Sequence, residues 1–241
     1  SCGLHPYFFQ KSTLRSTINT GMHGYGAHQA LKILEDEKLY LNRTKGNEVK
    51  TVIYRFIVDH INRAAGYSPW DKFGPCYEID QSGNIKYRGS FEDCGKRSDG
   101  ILNKIMVKFP ITSEPFTANL FRRFSLHGKY LSGEFHSSDI ERFLLMTNKM
   151  EEITKRKGGR FFIIFEDAGL YDEFCGTKVR YSEKLSKLLK KQHKNVILTS
   201  DVYSENICLN NKLTISEYDR HPSKAANKIL SDYLFNNDLI E

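Results

Sequence analysis

No run of about 18 apolar residues occurs anywhere in the 241-residue sequence, so no transmembrane helix is read in it. Cysteine is sparse and odd in number: five, at positions 2, 76, 94, 175 and 208, with no Cys-x-x-Cys. A zinc site or a dense disulfide framework is therefore not expected, and a Cys76–Cys94 pair is left as an open alternative. There is no internal repeat and no low-complexity tract. No Gly-Lys-Ser/Thr follows a glycine-rich turn, which excludes a nucleotide P-loop, and the third glycine of a dinucleotide fingerprint falls on Gln29. The sequence opens Ser1-Cys2-Gly3-Leu4 without an initiator Met, which reads as though a leader or further chain precedes it. The compartment stays open between cytoplasmic and periplasmic or secreted.

What is present is globular. Hydrophobic residues make up 39% and charged residues 27%, and the length suits one domain with an insertion. The net charge of +7 permits an anionic partner without requiring one. Lys184, Lys187, Lys190, Lys191 and Lys194 alternate with Leu185, Leu188 and Leu189 at helical spacing. A solvated face of an amphipathic helix accounts for this better than a phosphate-binding stripe, and nucleic acid is not an expected partner.

Apolar runs alternate with helical patterns, the signature of an α/β domain with a mainly parallel sheet. A short strand-like run, Ser16-Thr17-Ile18-Asn19, leads into a glycine-rich turn over 21–26, then a helix carrying Ala30, Leu31, Ile33 and Leu34. Residues 51–58 read as a buried strand that needs neighbours on both edges. Residues from about 66 to 130 break the rhythm as an insertion, with a hairpin whose turn holds Gly83. Core packing is the expected role of Trp70, Phe73, Tyr77 and Tyr87, with an acyl or sugar pocket as the alternative. Beyond the insertion, Ser138 to Glu141 reads as a capping box opening a helix to about Lys157. Strands then follow at 160–165 and 195–199, a lysine-rich helix lies between them, and a last helix opens at Asp219-Arg220-His221-Pro222-Ser223.

Two segments carry chemistry. Glycines between a strand and a helix present backbone amides that can hold an oxyanion or a phosphate. An acid beside a histidine orients its imidazole and stabilises the imidazolium, which makes a general base. The segment Asn19-Thr20-Gly21-Met22-His23-Gly24 matches Asn-x-Gly-x-x-Gly, and Asp219, His221 and Pro222 stand before the closing helix. In this order the chain resembles the SGNH (GDSL-type) hydrolase family.

The resemblance implies a single domain over 1–241 with a flavodoxin-like three-layer α/β/α sandwich and a hairpin-containing insertion. It implies a serine-dependent ester hydrolase, esterase- or lipase-like or acting on carbohydrate O-acyl groups. His221 would be the base and Asp219 its orienting acid; Gly24 with Asn62 or His60 would hold the oxyanion. The substrate would be a small-molecule or carbohydrate ester, and the chemistry needs no metal and no organic cofactor.

Three departures stand out. Asp219 and His221 are one residue closer than the family's common Asp-x-x-His. Asp59-His60-Ile61-Asn62 has no glycine before its asparagine. A Gly-Asp-Ser-like nucleophile segment is not recognisable; Ser1 is the candidate, and an upstream strand ending in a serine is expected. Gly89-Ser90-Phe91 follows a hairpin strand and is set aside. The competing reading is a non-catalytic domain of the same fold that binds carbohydrate or another partner after losing its nucleophile.

Overall fold

The computed structural model describes residues 16–68, 70–94, 135–170, 177–178, 182–204, 207, 212–216 and 221–237. In chain order the elements are α1 (Ala27–Glu35), α2 (Glu37–Thr44), β1 (Thr51–Phe56), α3 (His60–Ala64), β2 (Pro75–Ile79), β3 (Ile85–Ser90), α4 (Ser137–Arg156), β4 (Arg160–Phe165), α5 (Ser182–Gln192), β5 (Val196–Leu198), α6 (Thr199–Val202) and α7 (Lys224–Asn236). The described residues of Ser1–Tyr25, Ile33–Val58 and Met150–Glu241 form one compact unit, and those of Gly26–Lys32 and Asp59–Lys149 form a second. Of the stretch read as an insertion, the described residues 66–68 and 70–94 fall in the second unit, and 95–130 lie outside the described residues.

The first unit is mixed α/β around a parallel sheet in the order β1-β4-β5. Register runs from Thr51 opposite Arg160 to Phe56 opposite Phe165, and from Ile163 opposite Val196 to Phe165 opposite Leu198. Phe161 to Phe165 are all buried, as a strand covered on both faces requires. Phe162 and Ile164 share a core with Ile197, Leu213, Ala226, Leu230 and Leu234, so α7 covers that face. On the other face Phe165 stacks on Phe56 at 4.8 Å, and Phe161 meets His193, just beyond α5, at 6.2 Å. His193 Nδ1 lies 2.5 Å from Glu151 of α4.

Helix ends follow their local chemistry. Ser223 caps α7, its hydroxyl accepting from the Ala226 amide at 3.2 Å and donating to the Lys212 carbonyl at 2.6 Å. Gly158, with φ of 76°, ends the run of α4 and β4 follows at once. In α5, Leu185 and Leu189 are buried while Lys184, Lys187, Lys190 and Lys191 face solvent, the solvated face expected.

Three expectations need correction. Residues 16–19 form no strand: Ile18 is exposed, and Asn19 turns its side chain back to accept the Gly21 amide at 3.0 Å. The strand expected over 51–58 stops at Phe56, because the Asp59 carbonyl already accepts the Arg63 amide and the chain turns into α3. Helix α4 opens at Ser137, one residue before the expected cap, and the Asp139 carboxylate instead receives Arg142 and the Tyr67 hydroxyl.

In the second unit, β2 and β3 pair antiparallel with Tyr77 opposite Tyr87 and Ile79 opposite Ile85. The turn is held by Asp80, which accepts the Ser82 and Asn84 amides at 2.9 Å each. Cys76 and Cys94 form a disulfide across a separation of 18 residues. Chain-entropy arguments assign closure of such a loop about 3 kcal/mol, so Cys94→Ser should lower the urea midpoint by a corresponding amount. An unchanged midpoint would show that the bond adds nothing to the fold. Of the four aromatics expected in the core, Tyr77 is buried; Trp70, Phe73 and Tyr87 are exposed. Between Trp70 and Phe73 in the same loop, the Asp71 carboxylate is held by His28 and Gln29.

Candidate functional site

Among the residues expected to carry chemistry, Ser1 and Asp219 lie outside the described residues. His221 is described, and the chain around it is clamped. The Ile215 amide donates to the His221 carbonyl at 3.1 Å, and the Ser223 amide donates to the Leu213 carbonyl at 2.7 Å. Thr214 and Pro222 form an antiparallel bridge between them. The residue is exposed at the entry to α7. An imidazole in that position is accessible to substrate while its backbone is fixed.

Gly24 belongs to the same unit. Its φ of 85° lies in the left-handed region, which an L-residue enters only with strain. The Tyr25 amide closes the turn on the Met22 carbonyl at 3.1 Å, and α1 begins at Ala27. The turn thus keeps the turn-to-helix chemistry of a glycine loop although residues 16–19 form no strand.

His60 and Asn62 belong to the second unit, in α3. Burial, reinforced by the positive charge of Arg63 and then by His28, pushes the His60 imidazole down to about 3. It is neutral at pH 7, and a neutral imidazole still offers one N–H to an oxyanion. Asn62 is partly buried and its carbonyl accepts the Tyr67 amide at 3.1 Å. Ser90 is the last residue of β3, and its amide and hydroxyl both donate to Asp93, at 2.8 and 2.7 Å.

Two polar clusters were not anticipated. At the carboxyl ends of β4 and β5, the buried Asp167 accepts the Ser200 amide and hydroxyl at 2.8 Å each, while its own amide donates to the Thr199 hydroxyl at 3.1 Å. This ties the two strand ends together. The carboxylate thus fixes both the backbone and the hydroxyl of Ser200 at the first turn of α6. In the second unit, His28 is fully buried with Nε2 2.6 Å from Asp71 Oδ2, and Gln29 Nε2 donates to the same oxygen at 2.6 Å. Gln29 Oε1 accepts the Gly26 amide at 2.7 Å. His28 Nδ1 is buried without a hydrogen-bond partner among the described residues. The only local signal was the His-Gln pair after the glycine turn; Asp71 stands 43 residues beyond His28, and no spacing rule links them.

Burial also lowers His28, with the Asp71 hydrogen bond opposing it. Both histidines therefore bind protons less readily in the folded chain than in the unfolded one. Their contribution to stability is complete above the unfolded value of about 6.5 and is lost as pH falls toward the folded values, about 3 for His60. The urea midpoint should hold steady from pH 8 to 7 and decline between pH 6.5 and 5. His60→Gln should flatten that decline; an identical slope in the variant would remove His60 from the account.

The ligand-type side chains Cys76, Glu78 and Cys94 lie together, but the two sulfurs are joined as a disulfide and offer no thiolate. Among the described residues no helix is long and apolar enough to cross a membrane. No family model matches the chain, and neither a curated protein nor a solved structure matches it.

Proposed function

We propose that the chain is a serine-dependent ester hydrolase built on a flavodoxin-like sandwich, as its resemblance to SGNH hydrolases implies. A serine, with Ser1 as the candidate, attacks the acyl carbonyl. His221 takes the serine proton and returns it to the leaving alcohol, and Asp219 orients the imidazole and balances its charge. The Gly24 amide stabilises the oxyanion.

The observation that carries this reading is the presentation of His221. It is exposed on a turn clamped at both ends, next to a capped helix, in the unit that holds the parallel sheet. A second support is Gly24, whose left-handed backbone orients an amide in a way an L-residue would resist. Release of p-nitrophenol from p-nitrophenyl acetate by the full-length protein tests the proposal. Saturable turnover above the buffer rate is expected. Its absence would favour the non-catalytic binding domain.

A further inference from the structure

The loop between α3 and β2 holds the Asp71 carboxylate inward and two aromatic residues outward. Trp70 is 63% exposed and Phe73 77%, the two largest values among the exposed large hydrophobic side chains of the described residues. Between them Asp71 is pinned by the buried His28 and by Gln29, both at 2.6 Å. The Asp71 amide donates to the Ser68 carbonyl and the Gly74 amide to the Asp71 carbonyl, each at 3.2 Å. The Glu92 amide donates to the Lys72 carbonyl at 3.2 Å and the Phe91 amide to the Gly74 carbonyl at 2.9 Å. A Cβ at Gly74 would collide with the Asp71 carboxylate, so the inward turn of Asp71 depends on that glycine. Two large rings are thus held in water on a loop with little freedom left to lose, a costly exposure unless something stacks on them.

The surrounding charges select the occupant. Arg63 lies 6.0 Å from the Trp70 ring and Lys72 lies 5.2 Å from that of Phe73. Each cation is already neutralised, Arg63 by Asp59 at 2.7 Å and Lys72 by Glu92 at 2.5 Å. A polyanion or an acidic bilayer is drawn by uncompensated cations, and these two are compensated. With a cation on one side of each ring, exposures this high leave the other side to solvent. An open aromatic face beside paired, hydrogen-bonding charges suits a neutral sugar. The C–H groups on one face of a pyranose are weakly positive and settle on the ring, while hydroxyls reach the flanking polar groups. We propose that Trp70 and Phe73 form a binding platform for a neutral saccharide.

Trp70 is the only tryptophan in the sequence, so its fluorescence reports on this surface alone. The probes are cellohexaose, xylohexaose and N-acetylchitohexaose, titrated into the full-length protein. At least one should give a saturable change in emission, equally at 50 and 500 mM NaCl. Phe73→Ala, which keeps the reporter, should weaken binding on the order of tenfold, and Asp71→Asn should weaken it by loosening the loop. No saturable response to any of the three overturns the proposal. So does a response seen only with phosphatidylserine vesicles or single-stranded DNA and lost at high salt, which would identify an anionic surface as the partner. The readout is binding, so its failure leaves the hydrolase reading intact, and failure to turn over an ester leaves this platform intact.

Discussion

His221→Ala is expected to lower turnover of p-nitrophenyl acetate by roughly 10³-fold or more, because nucleophile and base act as a unit and loss of either removes most of the catalysis. The change should cost little stability. What holds the turn is backbone: the Ile215 amide meets the His221 carbonyl, and the Ser223 amide meets the Leu213 carbonyl. The imidazole itself is exposed, so its removal leaves no cavity. Asp219→Asn should cost a comparable factor in kcat if that side chain orients the base. Near-wild-type turnover by a folded His221→Ala protein would remove the assignment.

Gly24→Ala is expected to lower kcat on the order of 10²-fold, the usual scale for one lost oxyanion donor. The argument rests on φ. At 85° the glycine amide points where an alanine would hold it only against steric strain, and relief of that strain rotates the N–H away. Strain alone also costs stability, so a matched control is needed. Gly83, in the hairpin turn, has φ of 78° and open space where a Cβ would stand. Gly83→Ala should carry a similar backbone cost of about 1 kcal/mol and leave kcat unchanged. If both variants lose activity equally, the effect of Gly24 is general and the oxyanion role falls.

The parts of the fold legible in the sequence are those whose pattern is local. β4 is five apolar or aromatic residues behind an arginine, and α7 declares itself through Pro222, the Ser223 cap and its buried Ala226, Leu230 and Leu234. The hairpin was legible from the turn that holds Gly83. Residues 16–19 misled because β-branched residues suggest extension, whereas the Asn19 side chain favours a turn. The capping box misled because the helix already closes on the His136 carbonyl, which accepts the Asp139 and Ile140 amides at 2.9 and 3.1 Å.

For the candidate site, the sequence nominates His221 and Gly24 because each sits in a short motif. The His28–Gln29–Asp71 cluster was not, since its members meet only through tertiary folding. The exposure of Trp70 and Phe73 was not legible either, since composition alone puts such aromatics in the core.

The most direct measurement is labelling of the full-length protein with a fluorophosphonate, followed by peptide mapping of the modified residue. The hydrolase account predicts one equivalent of label on a single serine, Ser1 being the candidate, with labelling abolished in His221→Ala. No labelling, or label on Ser90 or Ser200, where the hydroxyls already donate to Asp93 and Asp167, would contradict it.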